Sequence, residues 1–148
     1  MEVDILKVNY IIDGILFSMP TKVIYERSNE NEIQSIHYEI KLENYHIISE
    51  ASNSTELGIV NLQKALPPNV SIVYCQSCRH GNFCPYGDYD NEVFCLKDIT
   101  PTDKNDVSKL FSENYDLIMA RSRKLLDFCT DYRPISNDGY YTYNDWEL

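Results

Sequence analysis

The chain has 148 residues, a formal net charge of −10 and a pI near 4.6. That length suits about one domain, which can bury a core without needing disulfides. The acidic balance argues against a nucleic-acid surface, which needs a basic patch, and favours a basic partner if the protein has one.

Met1-Glu2-Val3-Asp4 shows no basic region followed by an apolar run, so no secretory signal is expected. No apolar stretch approaches the ~20 residues needed to cross a bilayer. The expected setting is therefore reducing cytoplasm, with no membrane association. There, clustered cysteines read as metal ligands or redox groups rather than disulfides.

Residues 3 to 50 read as strands. Val3, Ile5, Val8, Tyr10, Ile11 and Ile12 form an apolar run that stops at the turn signal Asp13-Gly14. Ile15 to Ser18 resumes the strand, and Pro20 is expected to interrupt it. Lys22 to Arg27 is β-rich, and Ser28 to Glu32 is a polar turn. Ile36, Tyr38, Ile40 and Leu42 alternate with His37, Glu39, Lys41 and Glu43. That period of two predicts one buried and one wet face. Tyr45, Ile47 and Ile48 suggest a short further strand, and an antiparallel meander is the natural arrangement.

Asn53 to Leu66 reads as a helix, with Asn53 as its cap and Glu56 three positions on. Ile59, Leu62 and Leu66 share a face, and Pro67-Pro68 ends it. Gly58 weakens this helix by roughly 1 kcal/mol relative to Ala. Val70 to Tyr74 reads as a buried strand and Val93 to Lys97 as a short one. A helix beginning near Pro101-Thr102-Asp103 would align Val107, Leu110 and Phe111. Residues 116 to 128 fit either a helix or a strand, with Lys124 to Cys129 a candidate last strand. The tail from Asp131, with Tyr140, Tyr141, Tyr143 and Trp146, shows no period. It either lies irregularly over the domain or is mobile.

Four of the five cysteines fall within Cys75 to Cys95, and the fifth is Cys129. Cys75 and Cys78 form a C-x2-C pair, the usual spacing of a structural zinc site when two further cysteines follow. Two ligand sets are open on spacing. One is local, with Cys75, Cys78, Cys84 and Cys95. The other replaces Cys84 by Cys129. Iron–sulfur spacings are absent, and a thioredoxin-like pair would need a helix start after the strand. His80 reads as a solvent-exposed loop residue rather than a ligand, and His37 and His46 as surface residues. Asp88, Asp90 and Glu92 lack the order of a calcium loop and read as a solvated turn. Asp103 and Asp106 suit a helix N-terminus. No catalytic motif appears, and an all-cysteine site reads as structural rather than catalytic.

The block Cys-x-x-Cys-Arg-His-Gly-Asn-Phe-Cys-Pro-Tyr-Gly from Cys75, followed by Phe94-Cys95-Leu96, resembles an uncharacterised bacterial family. That family carries a C-x-x-C pair, an aromatic-Ser-Pro-Tyr-Gly turn, a Cys-Phe pair and a late cysteine in a Leu-Cys-Pro-like segment. Some members lie near polymorphic-toxin loci and look like immunity proteins. The resemblance covers roughly residues 33 to 133. It implies Cys75, Cys78, Cys95 and Cys129 as ligands of a structural Zn2+, with Cys84 standing where the family has Ser. Leu96 and Thr130 depart from the family's Phe and Pro.

The expected fold is α+β in a single domain, 1–148. It has an antiparallel sheet with one packed helix (1–74), a zinc-ribbon-like, cysteine-rich metal-binding part (75–133) and an irregular tail (134–148). The expected function is non-enzymatic protein–protein binding, with toxin-neutralising immunity against a basic toxin as its most concrete version. Two alternatives remain open: a zinc-ribbon adaptor or nucleic-acid-associated regulator, and a thiol redox protein using Cys84.

Overall fold

A computed structural model describes residues 1–87, 89, 91–135 and 139–144. Asp88, Asp90 and Trp146, singled out in the sequence, lie outside the described residues. The chain divides into two compact units, one built on residues 1–72 and the other beginning at Val73. The architecture is α+β, with antiparallel sheets and a few helices. Among the described residues, no helix is long and apolar enough to cross a membrane.

The first unit is a five-stranded antiparallel sheet of order β4-β3-β2-β1-β5. Its strands are β1 (Glu2–Ile12), β2 (Ile15–Arg27), β3 (Ile33–Leu42), β4 (Tyr45–Ile48) and β5 (Val70–Ile72). Four consecutive strands form a meander, and helix α1 (Thr55–Ala65) returns the chain to pair β5 with β1. Asp13 and Gly14 both have positive φ, +51° and +82°. That is the conformation a two-residue hairpin turn requires.

Pro20 does not interrupt β2, contrary to expectation. Counted from the turn, Ile12 and Ile15 form a hydrogen-bonded pair, so Lys7 and Pro20 form a non-hydrogen-bonded one. The donor that Pro20 lacks would therefore point towards β3. β3 pairs with β2 only from Lys22 onward, so no ladder bond is lost.

The alternation in β3 buries Ile36, Tyr38 and Ile40 as the pattern requires. They pack with Val8, Tyr10, Val23 and Ile47 into a core closed by Ile59, Val60 and Leu62 of α1. Tyr10 and Thr21 satisfy each other in this core through a 2.6 Å hydroxyl contact. The helix cap is Ser54 rather than Asn53: its Oγ accepts from the Leu57 N–H at 3.2 Å. Gly58 also has a role that propensity alone misses. A Cβ there would lie 3.1 Å from Cγ2 of Ile36 and 3.2 Å from Cε2 of Tyr38, so its absence lets the helix approach the sheet.

The second unit holds a three-stranded antiparallel sheet of order β6-β7-β8. These strands are β6 (Gly81–Asn82), β7 (Glu92–Cys95) and β8 (Ser122–Lys124). Helices α2 (Lys104–Glu113) and α3 (Tyr115–Met119) precede β8. Asp103 caps α2, accepting from the Asp106 N–H at 2.9 Å. Asp106 in turn accepts from the Thr102 N–H and hydroxyl. The ambiguous stretch from 116 thus resolves as the end of a short helix followed by a three-residue strand, and residues 125–129 lie beyond that strand.

Candidate metal centre

Strand β7 places Cys95, whereas turns and loops place Cys75, Cys78 and Cys129. A 3-10 turn spans Cys75–Ser77, and the Cys78 N–H donates back to the Cys75 carbonyl at 3.3 Å. The chain then reverses, with the Gly81 N–H donating to Cys78 O at 3.0 Å. Only glycine fits at this reversal, because a Cβ on Gly81 would collide with the Cys75 carbonyl oxygen. Gly81 pairs with Cys95 across β6 and β7, bringing the third cysteine to the turn. The fourth arrives with the segment after β8. Here the Cys75 and Gln76 N–H groups donate to the carbonyls of Asp127 and Leu125 at 2.7 and 3.2 Å.

Cys75, Cys78, Cys95 and Cys129 consequently line one cavity of about 200 Å³, together with His80, Asp127 and Asp131. Cys84 does not line it. It is 6 % exposed and packs in an apolar cluster with Phe94, Leu96, Val107, Phe111 and Ile118. The cavity walls differ in depth: Cys78 is buried, Cys75 and Cys95 are half-buried, and Cys129 is exposed. Among the described residues, no group of three or more His, Cys, Asp or Glu side chains is arranged to hold a metal ion. The thiols stand around a shared space rather than closing on a point.

Without a bound cation, this space favours neutral thiols at Cys75 and Cys78. Burial pushes the Cys75 thiol up to about 12, and the negative charge of Cys78, Asp127, Cys129 and Cys95 adds to that. Cys78 is also raised, mainly by burial, although main-chain N–H groups of Arg133 and His80 favour its thiolate. A bound cation would reverse this balance, because it favours deprotonated thiols. In kind, then, the donor set suits a thiophilic cation.

Cations already border the cavity. Lys97 pairs with Asp131 at 2.7 Å, and Arg123 lines the wall. Arg121 donates through one nitrogen to the carbonyls of Cys95 and Lys97, at 3.0 Å each. His80 is half-buried beside the thiols, not a free loop residue. Its Nδ1 lies 3.0 Å from the Tyr140 hydroxyl, and burial lowers its pKa. His46, by contrast, is exposed on the sheet, 3.6 Å from Glu39.

The tail is irregular yet well packed where it is described. The Thr142 hydroxyl donates to Arg79 O at 2.6 Å, and the Tyr143 N–H to Asn82 Oδ1 at 2.7 Å. The Phe83 N–H returns a bond to Tyr143 O at 2.8 Å. Asn144 Nδ2 donates to the carbonyls of Gln76 and Gly81, at 2.8 Å each. Residues 140–144 therefore act as a strap over the cysteine turn. Of the two readings the sequence left open for the tail, irregular packing over the domain holds for these residues; side chain–main chain hydrogen bonds, which leave no periodic trace, mainly hold them. The available sign of that packing is the strap's density of Tyr and Asn.

Compared with known proteins, this chain matches no family model, no curated protein and no solved structure.

Proposed function

We propose that the second unit is held together by one structural Zn2+ on Cys75, Cys78, Cys95 and Cys129, and that the protein is a non-enzymatic, protein-binding molecule. The observation that carries the metal reading is the convergence of these four thiols on one cavity, while Cys84 turns into the apolar core. Four thiolates on Zn2+ carry a formal charge of −2, which Lys97, Arg121 and Arg123 are near enough to offset. Closing on the ion would draw the segment after β8 inward, since Cys129 is the exposed member of the set. A metal explains how a region with short strands and many loops could be stable, because the binding free energy becomes folding free energy.

The binding role rests on the −10 net charge, the absence of a catalytic motif and the resemblance to a family that includes immunity-like members. An acidic surface would steer and cover a basic toxin. The burial of Cys84 weighs against a thiol enzyme or redox protein built on that residue.

Metal content per chain, measured on protein purified without added metal, tests the first half. One zinc is expected in the wild type and in Cys84→Ala, and none in Cys129→Ser. Retention in Cys129→Ser with loss in Cys84→Ala would overturn the assignment. For the second half, co-expression with basic toxins encoded beside the gene should protect cells and yield a complex. Absence of both would remove the immunity version.

A further inference from the structure

In the first unit the sheet outruns its helix. α1 has 11 residues and is about 17 Å long at ~1.5 Å per residue. β2 has 13 residues and spans about 43 Å at ~3.3 Å per residue. Near Gly58 the helix sits on Ile36 and Tyr38. Towards the hairpin ends, the core-side face continues beyond what 11 helical residues can cover. Phe17 lies opposite Tyr10 and Met19 opposite Val8, so both project from that core side. Leu42 shares the parity of Ile40 and faces Tyr45 across the β3–β4 turn.

These four side chains floor a cleft of about 350 Å³. Phe17 and Tyr45 remain 44 % and 62 % exposed. Pockets of this size bury peptide side chains well when a few polar groups fix the orientation. The charged groups here are acidic: Asp13 and Glu43 line the cleft beside the neutral Asn44 and Asn69, and among the described residues no Lys, Arg or His does so. Asp13 is held rigidly. Its N–H donates to Asn69 O at 3.1 Å, and its Oδ1 accepts from Asn69 Nδ2 at 2.9 Å. Glu43 stands in the two-residue turn between β3 and β4.

We propose that this cleft docks an apolar–basic peptide segment of a partner protein. A Lys or Arg head group meets the Asp13 and Glu43 carboxylates, and a neighbouring apolar side chain covers Phe17, Met19, Leu42 and Tyr45. The charge of the cleft matches that of the whole chain, so long-range attraction and local recognition select the same partner. The aromatic rings add cation–π attraction for the same head groups. This rests on the protein-binding reading and names the surface and chemistry that would carry it.

The test titrates the full chain, in low-salt buffer, with a blocked Leu-Arg-Phe-Lys-Leu peptide and with its Leu-Glu-Phe-Glu-Leu counterpart. NMR shifts and calorimetry are the readouts. The basic peptide should bind and shift Phe17, Leu42 and Tyr45, while the acidic peptide should not bind. A double Asp13→Asn, Glu43→Gln variant should weaken binding about tenfold. Asn tolerates the positive φ of Asp13 and keeps the amide-compatible contact with Asn69, so the turn survives. Phe17→Ser is a second variant, at an exposed position, and should weaken binding similarly. No binding, equal binding of the acidic peptide, or wild-type affinity in both variants would overturn the cleft. A toxin partner captured equally well by wild type and variants would sink the cleft while leaving the binding reading intact. A wild type that captures no partner would sink that reading itself.

Discussion

The main-chain N–H of Cys75 donates to the carbonyl oxygen of Asp127 at 2.7 Å. With the neighbouring bond from the Gln76 N–H to the Leu125 carbonyl, it ties the start of the cysteine turn to the segment that carries Cys129. Asp127 is itself fixed in a turn, since its Oδ2 accepts from the Lys124 N–H at 2.8 Å. Asp127→Ala removes that anchor. It should cost about 1 kcal/mol and speed exchange of the Cys75 amide, leaving core amides of the first unit unchanged. Unaltered exchange at Cys75 would show that the turn holds without the carboxylate.

Gly81 has no room for a side chain. Gly81→Ala should destabilise the second unit by roughly 3 kcal/mol, at the upper end of overpacking costs. The cause is that the new Cβ displaces the Cys75 carbonyl. Denaturant titration monitored by exchange would show loss confined to that unit. Gly58→Ala is predicted to be milder. The helix gains up to about 1 kcal/mol in propensity, but the crowding against Ile36 and Tyr38 exceeds it, for a net loss of roughly 1 kcal/mol.

Cys84 behaves as a small core residue. Cys84→Ser places a hydroxyl among Phe94, Leu96 and Phe111, and should cost about 2 kcal/mol without releasing metal. Timed alkylation of metal-free protein should modify the exposed Cys129 well before the buried Cys84, and early modification of Cys84 would contradict its burial.

Alkaline pH should unfold the first unit through its buried tyrosines. Burial pushes Tyr10 up to about 12, opposed in part by its contact with Thr21. Tyr38 shifts the same way, by burial and by proximity to Tyr10. Both folded pKa values lie above the free value of about 10. Their contribution to stability is therefore complete below about pH 10 and lost as pH rises through the folded values. Tyrosinate absorbance and unfolding should rise together over that window. Thr21→Val removes the hydroxyl that favours the Tyr10 phenolate, and leaves the phenol without its partner.

Chelation should act on the other unit. If zinc holds the cysteine turn, its removal should raise amide exchange first across residues 75–133, with the β3 amides of Ile36, Tyr38 and Ile40 still protected. Simultaneous loss in both units would count against a metal confined to the cysteine cavity.

Local chemistry made much of this legible. The turn at Asp13-Gly14, the alternation of β3 and the stop at Pro67 depend on near neighbours, and the sequence shows them directly. The α+β class followed from the same periods. Pro20 was misread because its tolerance depends on where β3 stops pairing, a fact about a different strand. Ser54 took the cap from Asn53 by one residue, a choice the candidate cap residues alone do not settle. Gly58 looked like a weak helix position, and short-range spacing did not mark Gly81 as irreplaceable. Each is set by an atom far along the chain or across a turn: a side chain of β3 for Gly58, a carbonyl for Gly81.

By itself, the sequence determined the acidic character, the strand and helix periods of the first unit and the C-x2-C pair, because these are properties of composition and short-range spacing. Tertiary structure alone decided which cysteines share a cavity. Cys84 is nearer to Cys78 in sequence than Cys129 is, yet β7, α2 and α3 build an apolar cluster around Cys84, while the hydrogen bonds from Cys75 and Gln76 bring the segment after β8 to the cavity. Burial of apolar surface and satisfaction of main-chain donors made that choice, and neither can be read from spacing.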